Sequence, residues 1–303
     1  AVERYTAASI DVSKHLNPDV IHCHDWMTMG AGVRAAKHHG KPLITHVHAT
    51  EFDRTDFHPN PWIADRERMG LLASDQIIAV SKYTKNLLIN QYGISGDKIS
   101  VVHNGHDQLD AAINPAEILQ SRMGTHPRPM VLFLGRMTVQ KNPWQFLTVA
   151  KMVHDQDPNV QFVMAGDGGM MTELIDRACE LGLEDTVVFA GKVSGKEAQA
   201  LYSKASCFVM PSLSEPFGLV ALEAVAHGTP VIVSKQSGAA EVIDHAFHIE
   251  PWDVDMMSDC ILTILREDPL AMQLRTEARH ILPNLSWANQ AGKVHNVYHQ
   301  ILS

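Results

Sequence analysis

The sequence predicts an α/β protein of two domains, each with a parallel sheet covered by helices. Short apolar segments, typical of buried strands, alternate with segments of helical spacing along nearly the whole chain. This alternation is the signature of a parallel, doubly wound sheet. A polar stretch over residues 107–129 interrupts the alternation, which then begins again. The length of 303 residues also agrees with about two domains.

The first domain is predicted over residues 1–106. It opens with helical spacing over residues 2–16, which ends before the proline at position 18. The strand segments that follow are 19–24, 42–48, 76–81 and 99–105. The helical segments between them are 27–39, 65–72 and 82–90. Ser81 stands where the last of these helices needs an N-cap.

The second domain is predicted over residues 130–285, after a linker at 107–129 that contains three prolines. Its strand segments are 130–134, 160–165, 186–190, 206–210, 230–234 and 248–249. Its helices are predicted from positions 143, 171 and 219 onward, and over 194–203, 255–266 and 270–282. A final helix is predicted over residues 286–303.

Unusual polar residues follow several of the predicted strands. They are His48, Ser81, Asn104, Arg136, Asp167 and Glu215. Ligands of doubly wound sheets bind outside the carboxyl ends of the strands. Two such domains facing each other would leave a cleft, so the sequence predicts the ligand site in that cleft.

Residues 214–223, with the sequence SEPFGLVALE, follow the apolar strand 207–210 and turn into a helix. Pro216 is predicted in the first helical turn, where a missing N–H is tolerated, and Gly218 leaves the backbone bare. The free N–H groups of a helix start bind anions. Glu215 and Glu223 flank this position. Their carboxylates would repel the anion itself, but they can accept hydrogen bonds from hydroxyl groups elsewhere on the ligand that carries it. Phosphate together with hydroxyl groups indicates a sugar nucleotide or a phosphosugar.

Residues 135–142 place Arg136 and Lys141 five positions apart on a loop between a strand and a helix. The two cations can converge on one diphosphate, arginine as a planar fork and lysine as a point charge. Such groups also stabilise a departing phosphate as its charge develops. The alternative is a surface loop with two solvated cations. Because the anion-binding helix start lies in the same half of the chain, we favour the ligand-binding interpretation.

Glu215 and Glu223 also allow a second interpretation, as the acid and base of a hydrolase. That mechanism needs two carboxyl groups on opposite sides of one bond, roughly 5 to 9.5 Å apart. Eight residues along a loop and a helix can meet this distance, but the two side chains tend not to face one another. We rank the hydrolase second.

Four histidines suggest a metal site as a third interpretation. They are His22, His24, His46 and His48, and each pair has the spacing that puts both side chains on one face of a strand. The ligand types suit zinc, and Asp25 or Glu51 could contribute. Histidines along a core strand are more often hydrogen-bonded packing residues, so no metal is assigned. His48 is the best placed to face the cleft.

Residues 166–169, Gly-Asp-Gly-Gly, match half of a dinucleotide fingerprint, and the third glycine of that motif is missing. We therefore interpret them as a tight turn near the ligand.

Composition excludes several classes of function. The net charge of −9 and the absence of a basic run argue against nucleic acid as a partner. The four scattered cysteines indicate free thiols in a reducing, cytoplasmic setting. The apolar runs are far shorter than the roughly 20 residues that a bilayer-spanning helix needs.

Taken together, these motifs resemble the retaining glycosyltransferases of the GT-B fold, family 4 and its glycogen and starch synthase relatives. The resemblance covers nearly the whole chain. Its motifs are Gly-Arg-x4-Lys at 135–141, SEPFGLVALE, Gly-Thr-Pro-Val-Ile-Val at 228–233 and His-x-His-Asp-Trp at 22–26. The resemblance implies two Rossmann-like domains facing across a cleft, with the helix at 286–303 crossing back to the first domain.

The resemblance also implies a role for each matched residue. Arg136 and Lys141 would bind the donor diphosphate and act in catalysis. Glu215 would contact the hydroxyl groups and the developing positive charge of the donor sugar, and His48 would lie beside that sugar. The remaining donor-binding positions would be Phe217, Gly218 and Leu219 at the helix start, Glu223 on the ribose and Val193 near the base.

The implied activity is transfer of a hexose, glucose in the first place, from ADP- or UDP-glucose to a sugar or an α-glucan. Configuration would be retained, and neither a metal nor another cofactor would be needed. The alternative is a non-catalytic protein that binds nucleotide sugars or glycans. The family opens with a glycine-rich loop for which nothing before Asp19 matches. The first domain is therefore expected to be incomplete, and this chain alone is expected to turn over poorly.

Overall fold

The computed structural model describes residues 1–106 and 128–303 and divides the chain into two compact units. Unit 1 comprises Ala1–Gly105 together with Leu285–Ser303, and unit 2 comprises His106–Asn284. Each unit carries one parallel sheet, so the predicted α/β class is confirmed. Nearly all of the predicted linker at 107–129 lies outside the described residues.

Unit 1 contains a sheet of four parallel strands in the order β1-β2-β3-β4. Its elements are α1 (Val2–Ser13), β1 (Ile21–His24), α2 (Asp25–His39), β2 (Leu43–Val47), α3 (Glu51–Arg54), α4 (Pro61–Ala73), β3 (Gln76–Ala79), α5 (Lys82–Tyr92) and β4 (Ile99–Val101). The last helix of the chain also belongs to this unit.

Two helices of unit 1 differ from the prediction because of their caps. α4 begins at Pro61 instead of position 65, since the Asn60 side chain accepts a hydrogen bond from the N–H of Trp62 and proline is tolerated at the first helical position. The short helix α3 was not predicted. It is held by a capping box in which Thr50 and Asp53 each accept the other's backbone N–H.

Unit 2 contains a sheet of six parallel strands in the order β10-β9-β8-β5-β6-β7. Its strands are β5 (Met130–Leu134), β6 (Gln161–Ala165), β7 (Val187–Gly191), β8 (Cys207–Met210), β9 (Val231–Ser234) and β10 (Phe247–Ile249). Its helices are α6 (Pro143–Gln156), α7 (Met171–Glu180), α8 (Gly195–Lys204), α9 (Leu219–Ala226), α10 (Val254–Arg266) and α11 (Asp268–Glu277). The strand order reverses between β5 and β8, and ligands of doubly wound sheets bind at such a switch point.

The helix predicted over 270–282 is shorter than expected. α11 ends at Glu277, and 3-10 turns continue from Ala278 to Leu285 around Pro283. Proline has no N–H to donate and clashes with the preceding turn of an α-helix, which explains the early end.

The final helix, α12 (Trp287–Leu302), packs on the sheet of unit 1. Its Val297 is buried in a cluster with Ile44, Ile78 and Val102. No helix within residues 1–106 and 128–303 is long and apolar enough to cross a membrane.

Candidate active site

The segment after β8 carries the predicted anion-binding motif and is almost entirely buried. Ser212, Ser214, Glu215 and Phe217 are each at most 7% exposed. α9 begins at Leu219 with Gly218 as its N-cap, so the prediction that Pro216 lies in the first helical turn is wrong. The segment turns two positions after the proline, at Gly218, which takes a left-handed conformation with φ of 100°.

Gly218 is required there for two reasons. A φ of 100° lies in the region that residues with a Cβ rarely adopt. A Cβ at this position would also lie 2.9 Å from Cε of Met210 and 3.2 Å from Cβ of Ala239. Both the backbone conformation and the packing at the start of α9 therefore require glycine at this position.

Lys141 and Glu215 form an ion pair at the switch point of unit 2. Nζ of Lys141 donates to Oε2 of Glu215, and the hydroxyl of Ser212 donates to the same oxygen at 3.3 Å. The two charged side chains are only 16% and 9% exposed. The structure thus brings the predicted phosphate-binding lysine directly against the predicted sugar-binding carboxylate.

Gln140 connects the loop after β5 to the loop after β8. Its Oε1 accepts from Nη2 of Arg136 at 2.9 Å, and its Nε2 donates to the carbonyl of Ser214 at 3.0 Å. Its own carbonyl accepts from the N–H of Leu213 at 2.9 Å. Gln140 is 3% exposed. Sequence reasoning did not identify it, and its position between the two predicted cations was the available signal.

The backbone of Glu215 is held from the other side by the loop after β9. Its N–H donates to the carbonyl of Gln236 at 2.9 Å, and its carbonyl accepts from the N–H of Gly238 at 3.0 Å. Glu215 also forms an isolated parallel bridge with Ser237. Three loops therefore position this carboxylate.

The glycines of residues 166–169 let two loops touch. A Cβ on Gly166, whose φ is 130°, would lie 1.8 Å from the carbonyl oxygen of Gly135. A Cβ on Gly168 would lie 2.4 Å from the carbonyl oxygen of Met137. The turn after β6 therefore packs backbone to backbone against the loop that carries Arg136.

Glu223 and Val193 are two further residues of unit 2 that are predicted to bind the donor. Glu223 is half-buried on α9, and its Oε2 accepts from the hydroxyl of Tyr202 at 2.9 Å. Burial, and then the charge of Glu223, raise the pKa of Tyr202 well above its ordinary value. Val193 follows β7, which is separated from β8 by β5 and β6. Three strand spacings amount to about 14 Å, so Val193 does not join the cluster around Glu215.

In unit 1, His48 follows β2 and is fixed by the end of β1. Its N–H donates to Oδ1 of Asp25 at 2.7 Å, and its Nε2 lies 2.9 Å from Nδ1 of His24. Asp25 has a φ of 54°, which is unusual for a residue other than glycine. Burial lowers the pKa of His48, as does His24, while the carboxylate of Asp25 acts in the opposite direction. The ring is therefore neutral at pH 7.

A polar network holds the carboxylate of Asp25, which in turn binds the N–H of His48. Arg54 lies 3.8 Å from carboxylate oxygens of both Asp25 and Glu67. Glu67 also accepts from the N–H of Glu51 at 2.9 Å and from the hydroxyl of Tyr92. Burial raises the pKa of Glu67 to about 7. Sequence reasoning considered Asp25 and Glu51 only as metal ligands and missed Arg54, Glu67 and Tyr92, because these three come from separate elements.

Two cations and a carboxylate thus lie at the switch point of unit 2, the place where doubly wound sheets bind their ligands. Family comparison agrees. The model described as "Glycosyl transferases group 1" matches residues 117–281, and the model described as "Glycosyltransferase Family 4" matches residues 4–108. The chain belongs to the group 1 glycosyl transferases, which transfer a sugar from a nucleotide sugar, and the resemblance found in its motifs is confirmed.

Curated relatives include enzymes of sugar transfer. An uncharacterized glycosyltransferase of Methanocaldococcus jannaschii is 32% identical over 292 residues, which cover 92% of this chain and 75% of the relative. A glycogen synthase of Mycobacterium tuberculosis is 28% identical, with 93% of this chain and 68% of the relative covered.

Solved structures show the fold. HepE of Anabaena in complex with UDP-glucose has a TM-score of 0.84 at 20% identity, covering 97% of this chain and 82% of that protein. A sucrose-phosphate synthase of Thermosynechococcus elongatus has a TM-score of 0.83 at 22% identity, covering 99% and 77%. The predicted GT-B fold is confirmed by these likenesses.

Proposed function

We propose that this chain is a retaining, metal-independent hexosyltransferase that moves glucose from ADP- or UDP-glucose to a sugar or an α-glucan. The observation that carries the proposal is the cluster of Arg136, Lys141 and Glu215 at the switch point of unit 2. A glycogen synthase among the relatives and UDP-glucose in the HepE complex support glucose as the transferred sugar.

The donor diphosphate would replace Glu215 as the partner of Lys141. Two cations on one loop neutralise the charge that grows on the leaving diphosphate, and this removes the need for a metal ion. Because Gln140 holds both Arg136 and the carbonyl of Ser214, the cations and the carboxylate are already positioned before the donor arrives. Glu215, once released from Lys141, would accept hydrogen bonds from the sugar hydroxyls.

The rest of the donor would lie along the strand ends of unit 2. The N–H groups at the start of α9 would bind phosphate or sugar oxygens next to the bare backbone of Gly218. Glu223 would accept from the ribose hydroxyls, and Val193 would lie near the base. His48 of unit 1, with its neutral ring, would donate or accept a hydrogen bond at the sugar.

Retention would follow from attack on the face that the diphosphate leaves. The bond from the anomeric carbon to the diphosphate oxygen breaks, and the bond to the acceptor oxygen forms on the same face. The acceptor proton passes to the departing diphosphate oxygen. Ser212 and Lys141 both donate to Glu215, which favours an electrostatic role for this carboxylate over a covalent one.

The two alternatives are less well supported. A glycosidase needs two carboxyl groups that act on one bond, whereas Glu215 is engaged by Lys141 and Glu223 by Tyr202. A non-catalytic binding protein would keep the donor site without turnover. Incubation with ADP-, UDP- and GDP-glucose and a maltooligosaccharide, followed by assay of released nucleotide, separates these cases. Slow turnover by this chain agrees with the proposal, whereas nucleotide binding with no hydrolysis or transfer at all, or a β-linked product by NMR, would overturn it.

Replacement of Lys141 tests the donor site. Lys141→Ala removes one of two cations from the diphosphate, so we expect affinity for the nucleoside diphosphate to fall about 10- to 100-fold, or roughly 1.4–2.7 kcal/mol. Calorimetry with ADP and UDP measures the change. Lys151→Ala is the matched control, since Lys151 pairs with Asp155 on the outer surface of α6. Equal affinities of the two variants for the nucleoside diphosphate would contradict the assignment of the donor site.

A further inference from the structure

Four histidine rings form a row on one face of the sheet of unit 1, and the proposed transfer reaction uses only the last of them. His22 and His24 lie on β1 and His46 lies on β2, where the parallel register pairs His24 with His46. The ring centroids of neighbouring members are 4.4 to 5.5 Å apart. His48 follows at the end of β2.

Three ring nitrogens of this row are buried without a hydrogen-bond partner. Neither Nδ1 nor Nε2 of His46 has a partner, although the residue is only 8% exposed. Nε2 of His22 is likewise buried without a hydrogen-bond partner. A neutral imidazole always carries one N–H donor and one lone pair, and each buried polar group without a partner costs about 1–3 kcal/mol. A ligand that contacts these nitrogens would remove this cost.

The other nitrogens of His22 and His24 are already held. Nδ1 of His22 lies 2.5 Å from the hydroxyl of Tyr298, and Nδ1 of His24 lies 2.9 Å from Nε2 of His48. This leaves Nε2 of both rings for a ligand. Histidines that bind metals have this arrangement, because a second partner on the far nitrogen fixes the ring and its tautomer.

We propose that His22, His24 and His46 bind a divalent transition metal of the zinc class. One ring nitrogen from each of the three lies within 4.8 Å of the others. Tetrahedral zinc with Zn–N distances of about 2.0–2.1 Å needs nitrogens about 3.4 Å apart, so the rings must close by about 1.4 Å. They now lie face to face, and they would turn about χ2 until their lone pairs converge.

The occupant is a borderline cation rather than magnesium or calcium. Imidazole nitrogen suits zinc, copper, nickel and cobalt, whereas the two hard cations prefer oxygen ligands. The three ligands belong to unit 1, whereas the cations proposed to bind the diphosphate belong to unit 2.

Cobalt titration of the full chain after chelator treatment tests the site directly. We expect one equivalent of Co²⁺ to bind with the visible absorption of a tetrahedral complex, and Zn²⁺ to abolish that absorption. His46→Gln and His24→Gln each remove one of three protein ligands, so affinity should fall at least about 100-fold. Since His46 is buried, circular dichroism must show that its variant folds. The more exposed His24 provides the test if it does not.

His39→Gln is the matched control. His39 lies in the same unit, its Nε2 is also buried without a partner, and it stands outside the group of three. Its replacement should leave cobalt binding unchanged. The proposal is overturned if the unaltered chain binds no Co²⁺ at micromolar concentration, if the two cluster variants bind as well as it does, or if His39→Gln weakens binding equally.

Discussion

The carboxyl group of Glu67 is 2% exposed and lies among a tyrosine hydroxyl, an arginine and a backbone N–H. Burial raises its pKa from the ordinary value of 4.5 to about 7. The folded protein therefore holds this proton more tightly than the unfolded chain does. Between pH 4.5 and 7 its contribution to stability falls as pH rises, and above pH 7 the loss is complete.

Glu67→Gln should remove this dependence. We expect the unaltered protein to lose up to about 3 kcal/mol relative to the variant between pH 4.5 and pH 8, because the variant has nothing to ionise there. Urea unfolding at several pH values measures the difference, and the comparison cancels the contribution of the histidines. Glu180→Gln, at an exposed position on α7, is the control. A difference that stays constant with pH would contradict the assigned shift.

Single residues of the donor site were partly predictable. Arg136, Lys141, Glu215 and Glu223 were selected because two cations and two carboxylates occur in the same half of the chain as a predicted anion-binding helix start, and their roles remain predictions. Gln140 was not selected although it stands between the two cations, because the carbonyl that it holds is 74 positions away along the chain. The same reason hid the network around Glu67.

At the scale of elements, the start of α9 depends on Gly218. Gly218→Ala would place a Cβ at a φ of 100° and against Met210, so we expect a loss of about 1–3 kcal/mol in unfolding free energy and weaker nucleotide binding. Thermal unfolding and calorimetry measure both effects. Gly195→Ala, at the start of α8 where nothing lies within 4 Å of a new Cβ, should be neutral or stabilising by about 0.4–1 kcal/mol. Equal unfolding free energies of the two variants would contradict the predicted backbone strain at position 218.

Most strands and helices were predicted at the right place, because the spacing of apolar residues within each segment is enough to indicate its secondary structure. The deviations arise where a cap or a proline overrides the period. α4 starts early, at Pro61 after its cap Asn60, and α11 ends early, before Pro283.

For the whole molecule, the last helix belongs to the unit in which the chain begins. Val297→Ala should destabilise unit 1 by about 1–3 kcal/mol, because Val297 is 5% exposed and packs on Ile44, Ile78 and Val102. Relative to the unaltered protein, Val297→Ala should increase the rate of amide hydrogen exchange more at β2 and β3 of unit 1 than at β5 and β6 of unit 2. Asn296→Ala, exposed on the same helix, is the control. Faster exchange confined to unit 2 would refute this assignment.

The sequence alone determined the α/β class, the family and the identity of the charged residues, because periodicity and short motifs are local properties of the chain. Only the tertiary structure decided which of these residues meet. Lys141 and Glu215 are 74 positions apart and pair because β5 lies beside β8 in the sheet. The histidine row likewise exists because β1 pairs with β2 in a register that sets His24 opposite His46. Strand order and register are set by packing over the whole sheet, and no short stretch of sequence contains them.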